Sequence, residues 1–378
     1  MLYKINDDSH AEFFEFVTKH GVKEYQIMIH ADNLLLDYKQ QLKSINDTYK
    51  SLCEERITDA KTIFERYFLS DAANQAEEIY KIAAKHDYAL SIIQQPPLNG
   101  SKVALWIYMQ TNVSTNITKS GIYEVRHGVY RHLWNASMHN LGLSSEYQTN
   151  MLLNEYSDQL KEEGCSLEKN CIRTWFFVNS IDLNYGGIVR ARNNVFFSQG
   201  LTPKTHFIAS TGIGGRQEDA NVLSQMDNYA IAGIRYEQIK YLYAPKNLNR
   251  TSDYGVSFER GTAIDYGDRR HVFISGTASI NNKGEIMFPG DIKAQTERTI
   301  ENISALLEEA ECTLNDVAQL IVYLRDAGDY KVVKHITDKY FHDKPVVIVN
   351  APVCRPGWLI EMECIAMKEI HNPEFPDF

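Results

Sequence analysis

The stretch that decides the fold is HVFISGTASINNKGEIMFPGDIKAQTERTIENISALLEEA, residues 271–310. Ile300, Ile303 and Leu307 follow the three- and four-residue spacing of an amphipathic helix, which ends before ECTLND. After it, the pattern predicts a strand around LIVYLRD (320–326), a helix over 329–341, and the strands VVIVN (346–350) and WLIEMECIAM (358–367). The order is helix, strand, helix, strand, strand, which is typical of an α/β unit.

The same order of elements occurs earlier in the chain, which indicates an internal repeat. A helix is predicted over 150–170, then the strand RTWFFVNS (173–180), a helix over 185–199, and the strands THFIAS (205–210) and YAIAGIRY (229–236). GCSLEK in this stretch matches ECTLND in the later one. The alternative is a chance likeness between two α/β segments.

A third, weaker copy is predicted in the N-terminal third of the chain. KEYQIMIH (23–30) and LWIYM (105–109) are predicted strands, and residues 34–66 are mostly helical in pattern. Segments rich in turn residues near 111–121 and 247–255 are the best candidates for links. We therefore predict an N-terminal α/β domain over 1–120, a central unit over 121–245 and a C-terminal catalytic domain over 246–378.

Composition favours a soluble globular protein of the cytoplasm. The 378 residues are 44% hydrophobic, and the net charge of -10 argues against a nucleic-acid partner, which would need a basic surface. The six cysteines lack CxxC spacing, so we expect free thiols and no metal site. The N-terminus lacks the basic start of a signal peptide, and no apolar run approaches the roughly 20 residues of a membrane helix.

The C-terminal stretch resembles the reactive-intermediate deaminase (YjgF-like) superfamily. The likeness lies in SG (275–276), GDIKAQT (290–296), YLRD (323–326) and the final strand with IEME (360–363). It implies mixed sheets packed on two helices, with active sites in clefts between neighbouring units of a trimer. Tandem units in one chain could build that ring, a pseudo-trimer, within a single polypeptide.

One position departs from the deaminase pattern. Those enzymes hold the substrate carboxylate with an Arg early on the strand after the second helix, where this chain has Val347. Valine cannot form the bidentate contact of a guanidinium. Simple deamination of imines or enamines therefore becomes the minor alternative.

A longer resemblance, from about residue 173 to the end, is to chorismatases. It rests on RTWFFVNSI (173–181), ARNNVFFSQGLTP (191–203), ASTGIGG (209–215), YLYAPKNLNRTSDYGVSFERG (241–261) and SGTASI (275–280). The resemblance implies an enzyme that removes pyruvate from chorismate, with no metal or organic cofactor. Chorismate is then the small-molecule partner, and we expect a monomer or small homo-oligomer.

Two acids on the last strand are candidates for the proton donor. Glu361 and Glu363 have the same parity along the strand, so both project from one face. Apolar walls and the neighbouring like charge would raise the pKa of one of them. The resemblance assigns the general acid to Glu361 and leaves Glu363 a supporting residue; without it, both would be solvent-facing acids.

Arginines must supply the donors for an anionic substrate in an acidic protein. The preferred carboxylate ligands are Arg192 and Arg260, followed by Arg173, while Tyr254 and Thr211 could donate hydrogen bonds. Each arginine could also be an ordinary surface residue.

Two small residues bear on the product. The resemblance aligns Gly267 and Cys354 with positions that tend to be Gly and Cys in the chorismatases that form 3-hydroxybenzoate, so this product is predicted. The alternatives are hydrolysis to 3,4-dihydroxycyclohexa-1,5-diene carboxylate, imine or enamine deamination, and a non-catalytic protein that binds a metabolite.

Overall fold

The computed structural model describes residues 1–19, 21–84 and 86–378. Within these residues, the long strands form three six-stranded sheets of the same topology, in which the strands of each sheet lie in the order first, second, third, sixth, fourth, fifth. The fourth and fifth strands of each sheet are parallel, and all other pairs are antiparallel. The predicted α/β class of tandem units, with mixed sheets packed on helices, is confirmed.

The first sheet defines the N-terminal unit. Its elements are β1 Leu2–Lys4, β2 Ser9–Phe16, β3 Glu24–Ala31, α1 Tyr38–Glu55, β4 Ala60–Leu69, α2 Ala72–Ile82, β5 Ala89–Gln94 and β6 Val103–Thr111. The prediction of mostly helix over 34–66 is right for α1 and wrong for β4. Residues 63–69 of β4 are buried on both faces, so they lack the alternation that identifies a strand.

The second sheet defines the central unit. Its elements are β7 Ser114–Ile117, β8 Tyr123–His127, β9 Tyr130–His139, α3 Ser145–Glu162, α4 Leu167–Asn170, β10 Cys171–Val178, α5 Ile181–Ser198, β11 Ala209–Gly214 and β12 Ser224–Ala232. The strand predicted over 205–210 is displaced. β11 begins at Ala209, because that residue is the first to pair with β10, opposite Arg173.

The third sheet defines the C-terminal unit. Its elements are β13 Ile239–Leu242, β14 Gly261–Asp265, β15 Arg269–Ala278, α6 Ile292–Glu309, β16 Val317–Leu324, α7 Tyr330–Phe341, β17 Val346–Asn350 and β18 Ile360–Glu369. β7 precedes the domain boundary drawn at residue 120, and β13 precedes that at residue 245. Both boundaries therefore cut off the first strand of the sheet that follows.

The three units share one core. Buried side chains from all three sheets, among them Trp106, Trp134 and Tyr323, belong to a single continuous apolar cluster, and helices cover the outer faces. Buried ion pairs also cross between units, for example Arg66 with Asp227 at 2.7 Å. None of the helices in the described ranges has the length and apolarity needed to span a membrane.

Candidate active site

A pocket of about 460 Å³ lies between the central and C-terminal units. The central unit contributes residues of α5 and β11, and the C-terminal unit contributes β15, β18, the segment before β14 and the loop before β18. The pocket is the kind of inter-unit cleft that the sequence predicted.

Glu361 lies at the floor of this pocket, on β18, where it pairs with Ala278 of β15 and Tyr323 of β16. Glu361 is buried, with only 4% of the residue exposed. Burial raises the pKa of the Glu361 carboxyl from 4.5 to about 8, and the negative charge of Glu363 acts in the same direction. Glu361 is therefore mostly protonated at neutral pH and can donate a proton.

Gly276 makes room for this carboxyl. A Cβ at position 276 would lie 2.0 Å from Oε1 of Glu361, closer than any real contact. The pairing of β15 with β18 is irregular between Ile274 and Thr277, so Gly276 occupies a bulge. The SG dipeptide seen in the sequence thus has a physical purpose, which is to let the acid pack against the backbone of the neighbouring strand.

Glu363 shares a strand face with Glu361 but has a different environment. Its oxygens accept hydrogen bonds from Trp175 Nε1 at 2.7 Å, from Arg173 Nη2 at 2.8 Å, and from the Thr211 hydroxyl. The Arg173 guanidinium also donates to Thr211 Oγ1 at 2.6 Å. Three donors therefore bind the Glu363 carboxyl group, and its proximity contributes to the raised pKa of Glu361.

Arg192, on α5, reaches the pocket with unused hydrogen-bonding groups. The residue is 1% exposed, and its Nε and Nη2 atoms are buried without a hydrogen-bond partner among the described residues. Its guanidinium lies between the rings of Phe176 and Phe258, at 5.9 and 5.7 Å from their centroids. Burying a cation without a partner costs folding free energy. The position of Arg192 therefore suits a residue that binds an anionic ligand.

Arg260 lies on the other side of the pocket and is held in place. Its Nη2 donates to the backbone oxygen of Asn249 at 3.1 Å and to the Asn249 side-chain oxygen at 3.0 Å. Tyr254 lies within cation–π distance of both Arg260 and Arg355. The pocket therefore carries positive charge on two sides of the protonated Glu361.

The walls between these groups are apolar and aromatic. They include Tyr185, Phe258, Ala278, Cys354 and Trp358. Burial, reinforced by the nearby Glu361, raises the pKa of the Cys354 thiol to about 12, so the thiol is not a nucleophile at neutral pH.

Five of the eight residues predicted for the site line the pocket, namely Glu361, Arg192, Arg260, Tyr254 and Cys354. Arg173 and Thr211 lie behind it, where they bind Glu363 instead of facing the cavity. Sequence reasoning had given them direct contact with the substrate. They are turned away because Glu363 is buried and needs their donors.

The position predicted for Gly267 needs correction. Gly267 lies on the turn between β14 and β15, where its N–H donates to the Pro376 oxygen at 2.7 Å and a Cβ would lie 2.3 Å from an oxygen of Asp377. Gly276, which does line the pocket, is nine residues farther along, roughly 30 Å at the rise of a strand. Gly267 is therefore a glycine because the C-terminal tail packs against it.

Sequence reasoning missed Tyr185, Arg355 and Trp358 as pocket residues. In CRPGW (354–358) the sequence predicts only Cys354 as a site residue, and Tyr185 enters only as the first residue of a predicted helix. A signal was present in the first case, because an arginine directly before a proline and a tryptophan two residues after it lie in or beside a predicted loop between two strands, and binding residues are often on such loops.

Comparisons with known proteins agree with this architecture. The family described as Endoribonuclease L-PSP matches residues 262–368. A chorismatase crystal structure superposes with a TM-score of 0.65 and 18% sequence identity, covering 82% of this chain and 95% of that one. At this identity the likeness shows the fold alone.

Curated relatives give a closer match in sequence. A RutC family protein of Pyrococcus abyssi is 42% identical over 100 residues, which are 26% of this chain and 79% of the relative. A RutC family protein of Saccharolobus solfataricus is 37% identical over 99 residues, with the same shares of both chains. This chain belongs to the RutC family.

Proposed function

We propose that the protein is an enzyme that removes pyruvate from chorismate in the pocket between the central and C-terminal units, with 3-hydroxybenzoate as the second product. The observation that carries the proposal is that one pocket contains both Glu361, whose pKa is raised to about 8, and the buried Arg192, whose Nε and Nη2 have no hydrogen-bond partner within residues 1–19, 21–84 and 86–378. An acid that is protonated at neutral pH and a free guanidinium are the two groups that this chemistry requires.

The first step is protonation of carbon. Glu361 donates its proton to the terminal methylene of the enolpyruvyl group, whose enol-ether oxygen supplies electrons, and the product is an oxocarbenium ion. The raised pKa of Glu361 supports this role, since an ionised carboxylate could not donate. The ionised Glu361 that remains then stabilises the positive charge formed beside it.

The second step separates the two products. The bond between ring carbon 3 and the enolpyruvyl oxygen breaks, its electron pair stays on that oxygen, and pyruvate leaves as a ketone. The 4-hydroxyl oxygen bonds to carbon 3 and returns its proton to Glu361, which gives a 3,4-epoxide. The bond between that oxygen and carbon 4 then breaks, the hydrogen on carbon 3 migrates to carbon 4, and a proton moves from carbon 4 to the oxygen to give 3-hydroxybenzoate. The sum is balanced without water, oxidant or cofactor.

Substrate binding follows from the charges. Chorismate carries two carboxylates, and Arg192 and Arg260 are the proposed ligands. Arg192 offers two free donors, whereas Arg260 is oriented by Asn249 and keeps part of its fork for the substrate. Arg355 lies at the exposed edge, where it can attract an anion toward the pocket.

The aromatic product depends on exclusion of water. The Cys354 thiol and the rings of Tyr185, Phe258 and Trp358 line the pocket, and they support attack on carbon 3 by the substrate's own 4-hydroxyl in place of a water. Hydrolysis to the dihydroxycyclohexadiene carboxylate is the alternative that a looser pocket would favour. Gly267 gives no support to either product, because it packs against the tail.

Imine or enamine deamination has less support. Val347, at the position of the expected arginine, is 1% exposed and packs in the shared core. Binding of a metabolite without turnover would use the same arginines but would not require a carboxyl whose pKa is raised to about 8.

Incubation of the purified protein with chorismate, followed by chromatography and mass spectrometry, tests the proposal. We expect equal amounts of pyruvate and 3-hydroxybenzoate. Pyruvate with the diene would support the hydrolytic type. Ammonia release from an imine, with no loss of chorismate, would contradict the proposal.

A further inference from the structure

A second inter-unit pocket, of about 790 Å³, lies between the C-terminal and N-terminal units. It is formed by β2 and β3 on one side and by α7 and β17 on the other. In the common topology, α7 and β17 correspond to α5 and β11 of the first pocket, and β3 corresponds to β15. The second pocket is thus the counterpart of the candidate active site at the next interface, with different side chains.

Three potential ligand atoms converge in this pocket. Nε2 of His10 lies 4.0 Å from Oε1 of Glu12, and Nε2 of His30 lies 3.8 Å from Oε2 of the same carboxylate. One ligand atom from each of the three residues lies within 4.8 Å of the others. These separations are too long for hydrogen bonds, so the three groups face one another across a gap.

The surrounding contacts fix the orientation of the His10 and Glu12 side chains. Nδ1 of His10 donates to Asp32 Oδ1 at 2.8 Å, so the lone pair of His10 is on Nε2, which faces Glu12. The backbone N–H of Val346 donates to Glu12 Oε2 at 2.9 Å. Histidines that bind a metal through one ring nitrogen usually donate the N–H of the other ring nitrogen to a carboxylate, as His10 does to Asp32.

We propose that His10, Glu12 and His30 bind a divalent transition-metal ion, with zinc as the best fit. Two ligand atoms at the Zn–N and Zn–O distances, in tetrahedral geometry, lie about 3.4 Å apart. The two histidine–Glu12 separations would have to shorten by about 0.4–0.6 Å, and the third separation, which is at most 4.8 Å, by up to about 1.4 Å. Two imidazoles and one carboxylate leave one position open toward the pocket.

The charges around the site are compatible with a cation. Lys334, which also lines the pocket, is paired with Asp338 at 2.5 and 2.7 Å from Nζ to the two carboxylate oxygens. Asp32 adds a second negative charge beside Glu12. His10 and Glu12 have side chains that are 23% and 31% exposed, so an ion can reach them from solvent.

The ion would also strengthen the contact between the N-terminal and C-terminal units. All three ligands belong to the N-terminal unit, while Glu12 is hydrogen-bonded to Val346 of the C-terminal unit. A Glu12 carboxylate held by the metal would also hold its hydrogen bond to the Val346 N–H in place. Zinc is therefore expected to raise the melting temperature of the protein, because binding to the folded state alone stabilises it.

Isothermal titration of the chelator-treated, untagged protein with zinc chloride tests the site. We expect one ion per chain, with affinity reduced at least tenfold in His10→Ala, His30→Gln and Glu12→Gln, and about tenfold in Asp32→Asn. Glu12→Gln keeps an oxygen for the Val346 N–H, so it should fold even where a histidine variant does not. The matched control is the double variant His139→Gln/His371→Gln, whose histidines are exposed elsewhere.

Cobalt(II) gives a second measurement, because a tetrahedral site with nitrogen and oxygen ligands shows visible absorption. The band should appear in the wild type and the control and be lost in Glu12→Gln. Failure of the wild type to bind zinc, or zinc binding to Glu12→Gln as strong as to the wild type, would overturn the proposal. Neither the zinc titration nor the cobalt absorption depends on turnover of chorismate.

Discussion

The carboxyl group of Glu361 occupies the space in which a side chain at position 276 would begin, since a Cβ on Gly276 would lie 2.0 Å from Glu361 Oε1. This contact joins the bulge in β15 to the last strand of the C-terminal unit. The position of the proposed acid therefore depends on a residue without a side chain.

Gly276→Ala should displace the Glu361 carboxyl and reduce kcat with chorismate at least tenfold, because misplacement of an acid by about 1 Å can cost that much or more. Gly186→Ala is the matched control, since its Cβ would meet only the end of the Arg190 side chain, at 3.4 Å. Equal activity of Gly276→Ala and the control would show that the acid does not need this position.

The pH dependence of kcat should follow the ionisation of Glu361. With a pKa of about 8, activity should be constant near pH 6–7 and fall as the pH rises through 8, because the proton donor is lost. Glu363→Gln removes a neighbouring negative charge and should move this fall to lower pH. A fall that begins at the same pH in both proteins would contradict the coupling.

Stability should change with pH through the same carboxyl. Between pH 4.5 and about 8 the folded protein binds one more proton at Glu361 than the unfolded chain does, so the free energy of unfolding falls as pH rises. Glu361→Gln cannot ionise. Its melting temperature relative to wild type should therefore increase from pH 4.5 to 8 and change little above it, as measured by circular dichroism.

Arg192 and Arg173 should respond in opposite directions to replacement by methionine. Arg192→Met removes a buried guanidinium whose Nε and Nη2 have no hydrogen-bond partner in the described part of the chain, so it should raise the free energy of unfolding by about 1 kcal/mol or more while weakening chorismate binding. Arg173→Met leaves the buried Glu363 without its cationic partner and should lower the free energy of unfolding by about 3–5 kcal/mol. Urea unfolding without substrate measures both. Destabilisation by Arg192→Met would indicate that the guanidinium has a partner in the free protein.

Cys354→Ala should open space for water and increase the share of the diene product, which mass spectrometry resolves from 3-hydroxybenzoate. Gly267→Ala is the control. Its Cβ would meet the C-terminal tail, so it should lower the melting temperature and leave the product ratio unchanged. A changed ratio in Gly267→Ala alone would restore the role that the sequence assigned to it.

The sequence predicted the elements of the C-terminal unit well because their patterns are local. The helix periodicity of α6 and the alternation of β18 are visible in the residues themselves, so Glu361 and Glu363 were placed on one face. β4 was missed because both its faces are buried, one of them in the core that all three units share. Burial of both faces arises only when the three units pack together, so β4 lacks the alternation of polar and apolar residues that would identify it as a strand.

The site was harder to predict because it joins two units. Sequence parity alone could not show that Glu363 is bound by Arg173 and Trp175, 190 and 188 residues away along the chain, while Glu361 faces the pocket. Gly267 illustrates the opposite error. Its type matched an expectation, but the tail that packs on it lies more than a hundred residues later.

Release of pyruvate from chorismate by the wild type and by Glu361→Gln, followed with lactate dehydrogenase and NADH, tests the central claim most directly. If Glu361 is the proton donor, the wild type should release pyruvate steadily and the variant should release none above background, with a circular dichroism spectrum that matches that of the wild type. Full activity of Glu361→Gln would contradict it.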